Sequence, residues 1–471
     1  MTPTRSERQG RVGRGTATLA ALTAALIATT GTAAAHGVPG GDAVLEGIPP
    51  WLYLTSGGAV VFASFALAGA FIGRRARAFS YRHRFLRAED FRPARLLARV
   101  ASVTLLAFVV ALGLFGPNDV LTNPAPVFLV EVFWWVSYSI LALLVVDVWR
   151  VIAPWTVVFE WLGEPSLDRE YPDWLGALPA LVAFLVFVWL NMVVLAFAQP
   201  ILAAALAASY FLVMLAGMAV FGKDAWLENA DAFTLVFGFF GRFAPLALTD
   251  EGIEVRAPAV GLVREAVTSV EGVLLVVAML YALTFDGFKE TETFLHLFIA
   301  LPNPGLHPTL WGVLWGGAIL LTGYVAFVAA YAVVSLAMAR ASGESRPLGD
   351  VMRRFVLSLV PIAAAYHLAH YSLYYLLQHE LLVAVLARPL PGAAIVPEPD
   401  LVAGVTPALV WYWMVGLIVV GHVVAVWVAH HAALDYFDSR RAAVRSQVPM
   451  LALMVFYTVV SLWIVSQPFG A

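Results

Sequence analysis

"LWGVLWGGAILLTGYVAFVAAYAVVSLAMA", residues 310–339, contains no charged side chain over its whole length. A helix needs about 20 apolar residues to cross the hydrocarbon of a bilayer, so this stretch alone places the chain in a membrane. Similar runs recur on both sides of it. Ten spans are expected, at 51–73, 97–115, 127–149, 174–197, 201–222, 265–285, 310–339, 355–377, 406–429 and 447–466. Between them lie polar or Pro/Gly-rich turns such as "GPNDVLTNPAP", "LPNPGLHP" and "ARPLPGAAIVPEPD". The fold class that follows is an all-α, polytopic transmembrane helix bundle.

Composition agrees. The 471 residues are 61% hydrophobic and 13% charged, about half the charge of an ordinary soluble protein. A net charge of -3 gives no reason to expect a nucleic acid partner, and no P-loop or other nucleotide motif is present. The absence of cysteine rules out disulfides, thiolate metal sites and iron–sulfur clusters. The expected partners are the lipid bilayer and a small solute or metal ion, with the oligomeric state left open.

The N-terminus reads as a signal peptide over 1–35. Arg5, Arg8, Arg11 and Arg14 form its basic region, "TATLAALTAALIATTGTAAA" its weakly apolar centre, and Ala33, Ala34 and Ala35 its small-residue cleavage pattern. Cleavage leaves His36 first in a single helical domain, 36–471. With the mature N-terminus outside, the inner loops hold 22 Lys and Arg against two outside, Lys289 and Arg388. Eight of the inner arginines sit in "RRARAFSYRHRFLRAEDFRPAR". Such an excess is what the positive-inside rule requires, so a plasma-membrane protein with both mature termini outside is expected.

That orientation places His36, His296, His307 and His379 on the outer side. "YHLAHYSLYYLLQHE" (366–380) adds His367 and His370 in the outer half of the eighth span, three apart and on one face with Tyr371 and Tyr374. A membrane-embedded histidine faces the bundle interior or a wet cavity. One reading has the pair tie helices together through tyrosines or carbonyls. The other has an outward-opening polar cavity whose metal site draws on His367, His370, His36, His296 and His379. A divalent metal (Zn or Cu) is the candidate cofactor. No haem is expected, because His422 lies in the inner half of the ninth span, at the wrong depth.

Other buried polar positions fill out the cavity set. Glu131 in "FLVEVFWWV" sits one turn inside the third span, and faces the cavity or is protonated. It is expected to meet His367 and His370, which makes the third and eighth spans neighbours. Asp147 and Arg150 read as an interfacial ion pair, Asp286 as a turn or cap before Gly287, and Asn191 as a bridge between helices. Asp147, Glu271 and His422 offer a second ionisable station in the inner half. "DAFTLVFGFFGRFAPLAL" (231–248) is expected to lie on, or dip into, the inner leaflet.

No HExxH, GxSxG or paired H-x-H appears, so catalytic residues are unassigned. The ordered set "LTNPAPVFLVEVFWW", "DVWRVIAPW", "LAGMAVFG", "DAFTLVFGFFGRFAP", "FDGF", "AHYSL" and "RSQVPMLALMVFYTVVSLWIVSQP" resembles a family of prokaryotic multi-pass membrane proteins labelled fenitrothion hydrolase. The resemblance runs from about residue 112 to 467. It implies hydrolysis of an organophosphate ester. His370 in "AHY" matches the family pattern, His367 and His379 are particular to this chain, and Asn191 stands where relatives carry an acid. Three functions therefore compete: a transporter or binder of a small solute or metal ion, a membrane-embedded metal-dependent hydrolase, and a structural or assembly subunit.

Overall fold

The computed structural model describes residues 50–71, 83–87, 91–167, 169–264, 266–377, 383, 385–386, 389–390 and 405–467. The signal segment, His36, His379 and Arg388 lie outside the described residues.

Every expected span contains a helix. In chain order they are α1 (Pro50–Phe71), α2 (Arg92–Phe115), α3 (Ala125–Leu144), α4 (Leu178–Met192) and α5 (Pro200–Phe221). A short helix, α6 (Ala232–Gly241), precedes α7 (Val270–Lys289), α8 (Pro308–Ser342), α9 (Val360–Leu377), α10 (Pro407–Tyr436) and α11 (Arg440–Ser466). Among the described residues, eight of these helices are long and apolar enough to cross a membrane. Helix α1 is also 22 residues long and carries no charged side chain. Helix α9 carries two histidines and four tyrosines in its eighteen residues.

The helices divide into an inner and an outer set. In α7, 83% of the most apolar window is buried, whereas in α2 it is 11%. A helix that is apolar on all sides is comfortable in either setting, so polar neighbours decide which one it takes. Small residues let neighbours approach. Gly421 of α10 lies against Pro361 and Ala365 of α9, where a methyl group would fall 2.3 Å from the Ala365 Cβ. Such contacts replace the hydrophobic drive that helices lack inside lipid.

Several expectations change. The stretch 231–248, expected on or in the inner leaflet, is helical only over Ala232–Gly241, and that helix packs into the bundle. Almost all of α6 is buried, packed through Phe233 and Phe237 against Trp134 of α3. Its ends are neutralised from opposite directions. Asp231 caps the first turn, accepting from the Phe233 and Thr234 amides. Buried Arg256 donates to the Ala244 and Gly241 carbonyls at the other end. An acid at the N-terminus and a base at the C-terminus complement the helix dipole. That is how a ten-residue helix is tolerated inside the bundle.

A small sheet also interrupts the all-α pattern. Strands β1 (His83–Arg87), β2 (Leu246–Thr249) and β3 (Gly252–Val255) pair antiparallel in the order β1-β3-β2, with His83 opposite Val255. The arginine-rich connection thus supplies an edge strand. The sixth span begins at Val270 rather than 265, because the Ser269 hydroxyl caps it through the Gly272 amide at 3.0 Å. It also runs on to Lys289, past Asp286.

Candidate functional site

The site is built where α3, α7 and α9 meet. The α3 backbone is wound as a π-helix over Phe128–Ser137, with Ser137 Oγ donating to the Val132 carbonyl five residues back at 2.8 Å. Such widened turns are rare and favour functional sites. This one carries Glu131, Trp134 and Trp135. Across from it, α9 presents Tyr366, His367, His370, Tyr371 and Tyr374, all buried.

Asp286 is the centre. It is not a turn residue but part of α7, 6% exposed. Its Oδ2 lies 2.9 Å from Nε2 of His370, and its Oδ1 lies 3.2 Å from Nζ of Lys289. The Tyr371 hydroxyl donates to Oδ2 at 3.5 Å and receives the Trp135 indole N–H at 3.2 Å. Lys289 also pairs with Glu290 at 3.2 Å. Glu131 and Tyr374 hydrogen-bond to each other, and Ser137 bonds to Tyr375. A charge taken out of water is tolerated only with partners of this kind. Two acids, a lysine and a histidine therefore share one buried region between three helices. Beside them is a void of about 10 Å³ lined by Gly287, Tyr366, His370 and Met414, room for about one water.

The two histidines of α9 separate. They lie only about 60° apart around the helix, yet they meet different neighbours: His370 reaches α7, and His367 packs against α3 and α6. The His367 ring lies 5.9 Å from Trp135, 5.6 Å from Phe240 and 4.5 Å from Tyr371. Neither of its nitrogens has a partner at hydrogen-bonding geometry, although the Val136 backbone is beside it. The pair therefore does not chelate. His296 and His307 are exposed, in the segment leading into α8. Among the described residues no three His, Asp or Glu side chains gather closely enough to hold a metal.

The remaining candidates lie apart from this site. Asp147 forms no ion pair with Arg150, which is exposed. It accepts instead from the Tyr138 hydroxyl at 2.8 Å and the Trp149 amide at 2.9 Å, because the chain turns after Leu144 and folds the carboxylate back under α3. Asn191 bridges nothing: it is half-buried and makes no hydrogen bond, since α4 ends within two residues of it. Glu271 packs over Gly176, whose φ is +44°. His422 directs Nδ1 at the Ile418 carbonyl, 2.8 Å away, and leaves a buried Nε2 without a partner.

Sequence reading missed Lys289 as a member of the site, having taken it for a loop base. The spacing of Asp286 and Lys289, three apart after an apolar run, was the available signal.

No family model, curated protein or solved structure matches the chain.

Proposed function

We propose that this protein binds and moves a small solute across the membrane, with the Asp286–His370 pair as its proton-exchanging station. The observation carrying this reading is the 2.9 Å contact between a buried carboxylate and a buried imidazole on different membrane helices, with Lys289 on the other carboxylate oxygen. Ionisable groups are expensive within a bilayer and mark ion or substrate pathways. A proton gained or lost at this pair would alter the attraction that joins α9 to α7. A solute that bound there would shift the same balance, which is the coupling a carrier requires.

The partition of basic residues supports placing this station toward the outer face, with the mature termini outside and residues 1–35 removed as a signal. A divalent metal at His370 would have to draw ligands from beyond the described residues, His36 and His379 being the candidates. The hydrolase reading rests on the sequence resemblance. It also needs a metal or base, a water, and groups to stabilise developing charge within a few ångströms.

The test is made in vesicles holding the full chain and a trapped pH dye. Imposed gradients of simple cations and organic solutes are screened for proton movement. At least one gradient is expected to drive it, and both Asp286→Asn and His370→Ala should abolish it while keeping the wild-type elution profile and melting. Cleavage of a phosphotriester by purified protein, lost in His370→Ala, would overturn the carrier reading and favour the hydrolase.

A further inference from the structure

A second cavity, much larger than the void at the ionisable site, lies behind it. It holds about 540 Å³ between α7, α8 and α11, within the range of about 300–1,000 Å³ typical of small-molecule pockets. Phe285, Trp315 and Phe327 are among its walls, and the hydroxyls of Thr284, Thr322 and Tyr457 are among its few polar groups. Thr284 and Tyr457 hydrogen-bond to each other, and Thr284 also donates to the Leu280 carbonyl at 2.9 Å. Their hydroxyls are thus largely satisfied within the protein, and the cavity asks its occupant for hydrocarbon. Phe456, 64% exposed, stands at its rim, so it opens toward the surrounding bilayer.

One residue connects the two regions. Ile464 lines both this cavity and the small void that touches His370. From this continuity we infer that the cavity admits a single-chain amphiphile from the bilayer, its chain lying along α8 and its small polar head turned past Ile464 toward His370. This names the solute class for the proposed station and rests on that reading for what His370 does.

Dimensions choose this occupant over others. On α8 the lining extends from Trp315 to Phe327, about 18 Å at 1.5 Å per residue. A helix about 10 Å wide and that long would need more than the available volume. Leu301 covers the end near Trp315, whose indole donates to the Pro302 carbonyl at 3.1 Å. That cover leaves no place for a bulky phospholipid headgroup. Close packing of Tyr281 against Gly323, where a methyl would meet the hydroxyl at 2.1 Å, seals the wall between α7 and α8.

A diazirine-bearing long-chain alcohol, photolysed with the full chain in vesicles, tests this. Saturable labelling of α8 and α11 is expected, competed by the unlabelled alcohol. Thr322→Trp fills the cavity and should lose most of that labelling. Ala318→Phe serves the same purpose if the first variant melts early. Ile464→Ala should carry label to Tyr366 or Met414. A diazirine phosphatidylcholine that labels the same residues equally and without saturation would overturn the proposal, as would labelling unchanged in both filled variants. Saturable labelling without any proton movement would leave the chain site standing and sink the proton-exchanging station alone.

Discussion

Two buried aspartates in this bundle have been treated in opposite ways. Asp231 is fully buried and receives five hydrogen bonds, from the Trp155 indole, the Tyr210 and Thr234 hydroxyls and two backbone amides. All of those donors are neutral, and all are fixed on packed elements. Asp286 is almost as buried, but its partners include the imidazole of His370 and the ammonium of Lys289. The first carboxylate is held by five neutral donors, the second by side chains of ionisable type on α7 and α9. On the function proposed above, the first holds the fold and the second is the proton-exchanging station.

The largest effect should come from breaking the locked site. Asp231→Ala strands five donors and removes the α6 cap. With each buried orphan costing about 1–3 kcal/mol and partial relaxation allowed, a loss of about 3–5 kcal/mol is expected. It would be read as early melting and aggregation in detergent. Asp286→Asn should behave differently, keeping most stability while losing proton exchange. Equal melting losses in the two variants would erase the contrast between them.

Next is Arg256→Met, which removes the donors to Gly241 and Ala244. A cost of about 1–2 kcal/mol is expected from the lost charge-assisted bonds, with faster hydrogen exchange confined to the end of α6. His367→Phe should change stability by less than about 1 kcal/mol in either direction. It exchanges an imidazole without hydrogen bonds for a ring that suits the same aromatic surroundings. A large loss there would show that His367 has a polar role.

The smallest effect belongs to the ion cluster of Arg99, Glu160, Lys223 and Glu164. Partial burial pulls the Lys223 ammonium down, but hydrogen bonds to Glu164 and Glu160 outweigh this and hold its proton more firmly than usual. Its stabilisation is therefore present below the ordinary value of 10.5 and fades as pH rises past the elevated one. Glu164→Gln should cost less than about 1 kcal/mol at neutral pH and nothing in strong alkali, measured by melting across that range.

The fold was legible where length and hydropathy speak for themselves. Long apolar runs have few alternatives to a membrane helix, and each of the ten contains one long helix. The three strands were not legible, because four- and five-residue segments such as "LALT" and "GIEV" are too short to show alternation. The burial of α6 was hidden for another reason. "AFTLVFGFFG" reads alike for a helix on a leaflet and for one inside a bundle, and only the distant Arg256 distinguishes them. At the site, Glu131 and His370 stood out as polar residues in apolar runs. Asp286 and Lys289 looked like the end of a helix because charges usually mark one, and nothing local reveals that α9 supplies a histidine to meet them.

The central claim is that Asp286 exchanges protons with its surroundings, whereas Asp231 does not. Infrared difference spectra of the full chain, recorded between acid and neutral pH with solvent deuteration, observe carboxyl groups directly. The account predicts a deuterium-sensitive carboxyl band that titrates, is abolished by Asp286→Asn and is altered by His370→Gln. A spectrum unchanged by Asp286→Asn would contradict it, and would make the Asp286–His370 contact one more structural tie.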